Sequence, residues 1–300
     1  MSYALHILIL FDIYVVVALS LNIIVGYVGL LTLAHAGYFA IGGYAYALAG
    51  YILGWEFVPA ALVGVAVAMI LSFALSLGSW RFRGDFFVLF SLAVQVVIYT
   101  TLRYWSKPGK PHGTWINLTN GDFGFAGIAK PTFFGTRFAD LAEVAILYSL
   151  FALIAVVFSR LLLHSPWGRM LQAIRDDELV ARGLGKDVRL AKMQAIGLGC
   201  GMAAFAGAMY AAHLAFIDPA SAELNESILL LSMIVVGGVG NSVRGPFVGA
   251  FILLLIPEVL RWIELPNALA AELRLITYGL VLVLLMHLRP QGIAGTYRVS

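Results

Sequence analysis

Nine long apolar runs follow one another along this 300-residue chain. A helix needs about 20 mostly apolar residues to cross the hydrocarbon core of a bilayer. The chain is 61% hydrophobic and 12% charged, whereas charged residues make up roughly a quarter of a soluble domain. The runs are continuous and lack the alternation of a membrane β-barrel. The sequence therefore predicts an all-α polytopic membrane protein with about nine transmembrane segments (about 8–10), near 4–26, 28–50, 58–79, 85–102, 141–162, 192–214, 227–243, 245–262 and 273–289.

Two of these runs contain features that interrupt a regular helix. The seventh run is short and ends in the sequence GGVG, and the second run is rich in glycine and alanine. Small residues either let helices approach closely in lipid or mark a broken or re-entrant segment that must be covered by protein. Both interpretations stay open for the following glycines: Gly26, Gly29, Gly37, Gly42, Gly237, Gly238 and Gly240.

Basic residues indicate the orientation, because cytoplasmic loops carry an excess of lysine and arginine. If the Arg81/Arg83 turn, region 160–192, Arg244 and the C-terminal tail face the cytoplasm, 12 of the 19 Lys and Arg lie on that side. With nine spans, the N-terminus is then outside and the C-terminus cytoplasmic. We expect one transmembrane domain, 1–300, with an extracytoplasmic loop at 103–140 and a cytoplasmic loop at 163–191.

The densest charge in the chain lies in the second of these loops. Residues 160–192 hold 11 of the 35 charged side chains, and 165–187 read SPWGRMLQAIRDDELVARGLGKD. Ser165 and Pro166 suit a helix start, and the helix is predicted to continue unbroken to Gly183 and Gly185. The helical spacing predicts an exposed charge ladder of Arg175, Glu178 and Arg182 and an apolar stripe of Leu171, Ile174, Ala181 and Leu184. These features favour docking onto a soluble partner over a solvated loop that only anchors topology.

The chain shows no recognisable catalytic motif. The Gly-Lys pairs at 109–110 and 185–186 lack the glycine spacing and the Ser/Thr of a phosphate-binding loop, so ATP hydrolysis by this chain is not expected. No HExxH motif occurs, the histidines are scattered and Cys200 is the single cysteine. We therefore predict no catalytic residue, metal ligand or cofactor, with a membrane enzyme as the remaining alternative. The net charge of +3 is too small to indicate nucleic-acid binding.

A few polar residues interrupt the apolar runs. Asn22, His35 and Gln95 lie within the first, second and fourth runs, where an unpaired polar group is costly. They either line a translocation path or form hydrogen bonds between packed helices. Asp12 is the main intramembrane carboxylate, and its position near the end of its run weakens the alternative of an ion-coupled secondary transporter.

Four stretches resemble the LivM/LivH-type permeases of ATP-binding-cassette (ABC) importers for branched-chain amino acids. They are GYVGLLTLAHAGYFAIGGY at 26–44, WGRMLQAIRDDE at 167–178, GGVGNSVRGPFVGA at 237–250 and LRPQGIAG at 288–295. Their order covers nearly the whole chain, which makes the combined signal specific. The RGDFF sequence at 83–87 and the C-terminal RPQG are similar to the M-type subunit. The chain departs from the family at Ala34, where glycine is common.

The resemblance implies a permease subunit without chemistry of its own, in a bacterial cytoplasmic (inner) membrane. Its implied partners are a second homologous permease subunit (a heterodimer), two cytoplasmic ATP-binding subunits and an extracytoplasmic substrate-binding protein. It also implies that 173–185 form a coupling helix seated on an ATPase, with contacts by Ala173, Arg175, Asp176, Asp177, Glu178, Ala181, Arg182 and Gly185. The alternatives are an ABC permease for urea or short amides and an ion-coupled secondary amino-acid transporter.

Overall fold

The computed structural model describes residues 2–261 except 108, 112, 129, 134, 135 and 139, together with 273, 276, 277, 279, 280, 283, 284, 287 and 292–295. Helices dominate this part of the chain. In order, the elements are α1 Ser2–Asn22, a π-helical segment Ile23–Val28, α2 His35–Leu53, α3 Phe57–Arg81, α4 Asp85–Tyr104, a 3₁₀ turn Gly121–Phe123, β1 Phe125–Ala126, β2 Thr132–Phe133, β3 Thr136–Arg137, α5 Leu141–His164, α6 Pro166–Asp176, α7 Glu178–Gly183, α8 Val188–Leu214, β4 Phe216–Ile217, a 3₁₀ turn Pro219–Ala222, α9 Leu224–Gly237 and α10 Arg244–Arg261.

Six helices in the described residues are long and apolar enough to cross a bilayer: α1 with its π-helical extension, α2, α3, α4, α5 and α8. The 14-residue helix α9 is apolar but shorter. Helix α10 has 18 residues and carries Arg244, Glu258 and Arg261. The prediction of an all-α polytopic membrane protein is therefore confirmed. The ninth predicted span, 273–289, lies mostly outside the described residues.

The second apolar run, predicted at 28–50, is not helical from its first residue. The preceding helix continues as a π-helix to Val28, the chain is non-helical at 29–34, and α2 begins only at His35. Gly29 ends the π-helix in the left-handed conformation, with φ of 78°. A side chain disfavours this conformation but glycine does not, so the chain turns here although the run stays apolar.

Helices α1 and α8 form the centre of the bundle, and α4 and α5 lie at its edge. In the most apolar 18-residue stretch of each helix, 72% of the residues are buried in α1 and α8, against 22% in α4 and α5. Small residues bring α8 against α2, because a Cβ on Gly42 would collide with the backbone of Ala204 and one on Gly207 with that of Phe39. In lipid such close packing replaces the hydrophobic drive between helices.

The two ends of the bundle differ. One end, called the loop end here, carries 105–140, where β1 pairs antiparallel with β4 and joins this loop to the residues after α8. The opposite end, called the α6–α7 end, carries 165–187 and the turn between α3 and α4. The seventh apolar run, predicted at 227–243, corresponds to α9, which ends at Gly237.

Helix α9 is short because the chain before it enters the bundle without forming an α-helix. Gln95, at the middle of α4, donates from Nε2 to the Ala222 carbonyl oxygen (2.5 Å). Ala222 therefore lies about half-way through the bundle, two residues before α9 begins. A 14-residue helix extends about 21 Å, which is enough to continue from this depth to the α6–α7 end.

Candidate translocation pathway and coupling segment

Two breaks in the helical structure, at 23–34 between α1 and α2 and at 238–243 between α9 and α10, contact each other toward the α6–α7 end of the bundle. Asn22, the last residue of α1, is fully buried and donates from Nδ2 to the Asn241 carbonyl oxygen (2.9 Å). Asn241 belongs to the non-helical segment between α9 and α10, where Gly238 and Gly240 have φ of 109° and 92°. Asn22 Oδ1 is buried without a hydrogen-bond partner among the described residues. The interruption at 23–34 is thus joined to the one at 238–243 by a side chain with one unused acceptor.

His35 also lies at the first interruption. Its Nε2 is 2.7 Å from Ser20 Oγ, and the Ser20 hydroxyl donates to the Val17 carbonyl oxygen (2.6 Å). Because the serine proton is used in that bond, the serine oxygen accepts from His35 Nε2–H. The Nδ1 atom of His35 is buried without a partner among the described residues. His35 therefore joins α2 to α1 and keeps one free acceptor, as Asn22 does.

Gln95 is fully paired. Its Oε1 accepts from the Gly37 backbone N–H (2.9 Å), and its Nε2 donates to Ala222. The residue is buried. Both ends of the amide are used to connect α4 with α2 and with the segment before α9, which matches the alternative of an inter-helix hydrogen bond.

A polar cavity of about 250 Å³ opens beside the start of α2. Its wall contains carboxylates that the sequence analysis did not single out, because they lie in a polar break between apolar runs. These are Asp218, Glu223 and Glu226, and they share the cavity with Tyr14 and Tyr210. Asp12 lies elsewhere and accepts a hydrogen bond from the Ser149 hydroxyl (2.7 Å). Among the described residues, no group of three or more His, Cys, Asp or Glu could hold a metal ion.

The glycines divide between the two roles left open by the sequence. Gly42 and Gly237 allow close backbone contact, the latter with Gly245. Gly29, Gly238 and Gly240 occupy positive-φ positions at the two interruptions. Added Cβ atoms on Gly26 and Gly37 would meet the side chains of Asn22 and Gln95, respectively.

The charged segment forms two helices and not the single predicted helix. Asp177 ends α6 in an extended conformation (φ −153°, ψ 106°) and caps α7 by accepting from the backbone N–H groups of Leu179 (2.8 Å) and Val180 (3.0 Å). A carboxylate that caps a new helix start competes with continuation of the old one. Ser165 is the N-cap of α6, as predicted, and Gly185 follows α7 at φ of 76°.

Arg175 does not join an exposed charge ladder, so that prediction is wrong. Its side chain is 10% exposed. Its Nη1 donates to the Gly26 carbonyl oxygen (2.5 Å), and its Nε lies 3.3 Å from Asp176 Oδ1. A Cβ on Gly29 would lie 2.6 Å from Arg175 Cγ. The last turn of α6 is therefore bound to the π-helical segment at the first interruption.

Glu178 is a central ion-pairing residue. The predicted pair with Arg182 is present, with Nη2 at 2.9 Å from Oε1. The other carboxylate oxygen also pairs with Lys192 Nζ (3.0 Å) and Arg83 Nε (3.5 Å). The Glu178 side chain is 18% exposed and that of Lys192 is 5% exposed. One carboxylate thus holds α7 against α8 and the turn between α3 and α4.

The predicted apolar stripe is buried for three of its four members. Leu171, Ile174 and Ala181 pack in one cluster against α3 and α8, whereas Leu184 is exposed. The exposed surface carries Leu179, Val180 and Leu184, exposed by 64, 57 and 75%. Of the other residues predicted to contact a partner, the exposed ones are Ala173, Asp176, Asp177, Arg182 and Gly185. Leu179 and Val180 were not among the predicted contact residues, although they lie two and three residues after the Asp177 cap, in the first turn of α7.

Comparison with known proteins gives the same assignment over most of the chain. The family described as "Branched-chain amino acid transport system / permease component" matches residues 3–286. The chain belongs to this permease family. The high-affinity branched-chain amino acid transport system permease protein LivM of Escherichia coli (strain K12) is 31% identical over 94% of this chain and 67% of its own length. The LivM protein of Salmonella typhimurium is 30% identical over the same shares.

A more distant relative is the probable branched-chain amino acid transport permease protein LivM of Methanocaldococcus jannaschii. It is 23% identical over 96% of this chain and 92% of its own length. No solved structure matches the chain. The permease is a transport subunit and not an enzyme, in agreement with the absence of a catalytic motif from its sequence.

Proposed function

We propose that this permease forms half of the translocation pathway of an ABC importer for branched-chain or related hydrophobic amino acids. The family match over residues 3–286 carries this proposal. The sequence contains no phosphate-binding loop, so ATP must act through other subunits. The proposed partners are a second homologous permease subunit, two cytoplasmic ATP-binding subunits and an extracytoplasmic substrate-binding protein, all in or at a bacterial inner membrane.

The proposed topology has nine spans with a cytoplasmic C-terminus, an extracytoplasmic loop at 103–140 and a cytoplasmic coupling loop at 163–191. The descent of 215–223 to the depth of Gln95, followed by the short α9, supports a re-entrant arrangement. The basic residues at the α6–α7 end support a cytoplasmic position for that end.

The proposed pathway passes the two interrupted segments. Asn22 and His35 each present an unpaired acceptor there, and a buried unpaired acceptor is costly unless a ligand or water uses it. The polar cavity beside the start of α2 is lined by Ala36, the residue that follows His35 in the chain. Gln95, whose amide is fully paired, fixes the position of α2 relative to α4 and so supports the pathway without lining it.

Reconstitution tests the proposed function. The permease, its genomic-neighbour permease and ATPase subunits, and the associated binding protein are placed in proteoliposomes. We expect leucine, isoleucine or valine uptake that needs internal ATP and the binding protein. Uptake of urea or short amides in place of these amino acids would contradict the substrate assignment. Uptake by the permease alone, driven by an ion gradient without ATP, would contradict the ABC mechanism.

The exposed surface of α7 is the proposed ATPase contact. We expect the double substitution Leu179→Ala/Leu184→Ala to reduce co-purification of the ATPase subunits at least about tenfold, because truncating two contact leucines removes apolar burial worth about 1.5–3 kcal/mol each. The melting temperature of the permease should stay unchanged, since both side chains are exposed. Leu190→Ala, an exposed leucine at the same end but outside α7, is the matched control. Full ATPase retention by the double variant would exclude α7 as the contact.

A further inference from the structure

A second cavity, of about 520 Å³, lies at the α6–α7 end. Three basic side chains line it: Arg160 and His164 from the end of α5 and Arg244 from the start of α10. The other polar wall residues are Tyr27 of the π-helical segment, Gln172 of α6, and Asn241 and Ser242 between α9 and α10. None of the described acidic side chains lines the cavity. The cavity thus joins the charged segment 165–187, called the coupling segment here, to both helix breaks (23–34 and 238–243), and its wall carries only positive formal charge.

The two guanidinium groups at this cavity have no carboxylate partner within the described chain. Among the described residues, Arg83, Arg175, Arg182 and Lys192 at the same end each pair with an acidic side chain. Arg160 and Arg244 form no ion pair with a described residue, and the same holds for Arg169, Lys186 and Arg189, which do not line the cavity. Two like charges that face one cavity repel each other, and an anion bound between them attracts both and offsets that repulsion. Guanidinium groups match a phosphate by forming paired N–H···O bonds.

The cavity lies at the depth of lipid headgroups. Helix α5 has 24 residues and is about 36 Å long, which exceeds the roughly 30 Å hydrocarbon core. Its last turn, with Arg160 and His164, therefore extends into the headgroup region. Basic cavities between transmembrane helices at the cytoplasmic surface are suited to anionic headgroups.

We propose that this cavity binds a phosphate group, supplied by the headgroup of an anionic phospholipid of the inner leaflet. Arg160 and Arg244 contact the phosphate, and the amide groups of Gln172 and Asn241 lie in the wall to bind the remaining headgroup oxygens. The bound headgroup bridges α5 and α6 to the start of α10, so it stabilises the coupling segment against the two helix breaks. The cytoplasmic position of this end rests on the proposed function.

Lipid retention by the full-length permease tests the site. The protein is purified in mild detergent, incubated with phosphatidylglycerol or phosphatidylcholine, and analysed by native mass spectrometry. The wild type should prefer phosphatidylglycerol. Arg160→Gln/Arg244→Gln should weaken that binding on the order of 30-fold, from two basic contacts of about fivefold each. The matched control Arg169→Gln/Lys186→Gln removes the same charge from exposed positions outside the cavity and should bind as the wild type does.

Equal phosphatidylglycerol retention in both double variants would overturn the site. Competition distinguishes the sources of phosphate: inorganic phosphate should displace phosphatidylglycerol only weakly, because it lacks acyl chains. Saturation by inorganic phosphate with no preference between the two lipids would overturn the lipid assignment. These measurements need no ATPase and no uptake, so a negative result here leaves the reconstituted uptake result unaffected. A melting temperature equal to that of the wild type verifies the fold of each variant.

Discussion

Replacing Glu178 with lysine is expected to lower the apparent melting temperature of the purified permease by about 5–10 °C. The substitution removes the carboxylate that pairs with Arg83, Arg182 and Lys192 and adds a fourth cation among them. Lys192 is almost completely buried, and removing one partner of a buried ion pair costs about 3–5 kcal/mol. Because the Glu178 side chain is partly exposed, we expect the loss of unfolding free energy to lie near the lower value, about 3 kcal/mol.

Glu178→Lys should also weaken the proposed ATPase contact, because Glu178 orients α7. We expect the variant to insert into the membrane but to retain less ATPase than the wild type. Asp176→Asn is the matched control for the melting temperature only, since it neutralises an exposed carboxylate two residues away in a surface ion pair, worth about 0–1 kcal/mol. Adding Lys192→Glu to Glu178→Lys should recover part of the stability. Equal melting temperatures for Glu178→Lys and Asp176→Asn would show that the carboxylate does not hold α7 in place.

Replacing Arg175 with alanine is expected to reduce ATP-driven uptake by about tenfold to a hundredfold while the ATPase subunits stay bound. The side chain connects α6 to the Gly26 carbonyl oxygen in the π-helical segment, and a hydrogen bond from a charged donor contributes about 1.5–3 kcal/mol. In the proposed mechanism, movement of the coupling segment is then no longer transmitted to the π-helical segment Ile23–Val28. The measurement is uptake per ATP hydrolysed in proteoliposomes.

Two further variants separate this link from a simple docking role. Gly29→Ala should also reduce uptake per ATP hydrolysed, because the new Cβ would lie 2.6 Å from Arg175 Cγ. The backbone φ of 78° at this position also disfavours any residue with a side chain. Arg169→Ala, an exposed arginine on the same helix, should leave the ratio unchanged. If Arg175→Ala lost ATPase binding and uptake in parallel, Arg175 would be a docking residue, as the predicted exposed ladder implied.

The sequence was informative wherever one local rule acts alone. Ser165 and Pro166 correctly marked the start of α6, and the i,i+4 pair of Glu178 with Arg182 is present. The helix break at Asp177 was missed because a mid-helix aspartate and an N-cap look alike until the direction of the next helix is known. The late start of α2 was missed because 28–34 are as apolar as the helix that follows.

Composition and apolar run length by themselves determined the membrane class, because about 20 consecutive apolar residues have few stable positions other than a bilayer. The order of the family motifs determined the permease assignment. Only the tertiary structure decided which charges face inward. Arg175 and Glu178 read as surface residues by helical spacing, yet Gly26, Arg83 and Lys192, which are distant in sequence, supply the partners that make their burial favourable. Such partners depend on how the helices pack, and no local pattern encodes them.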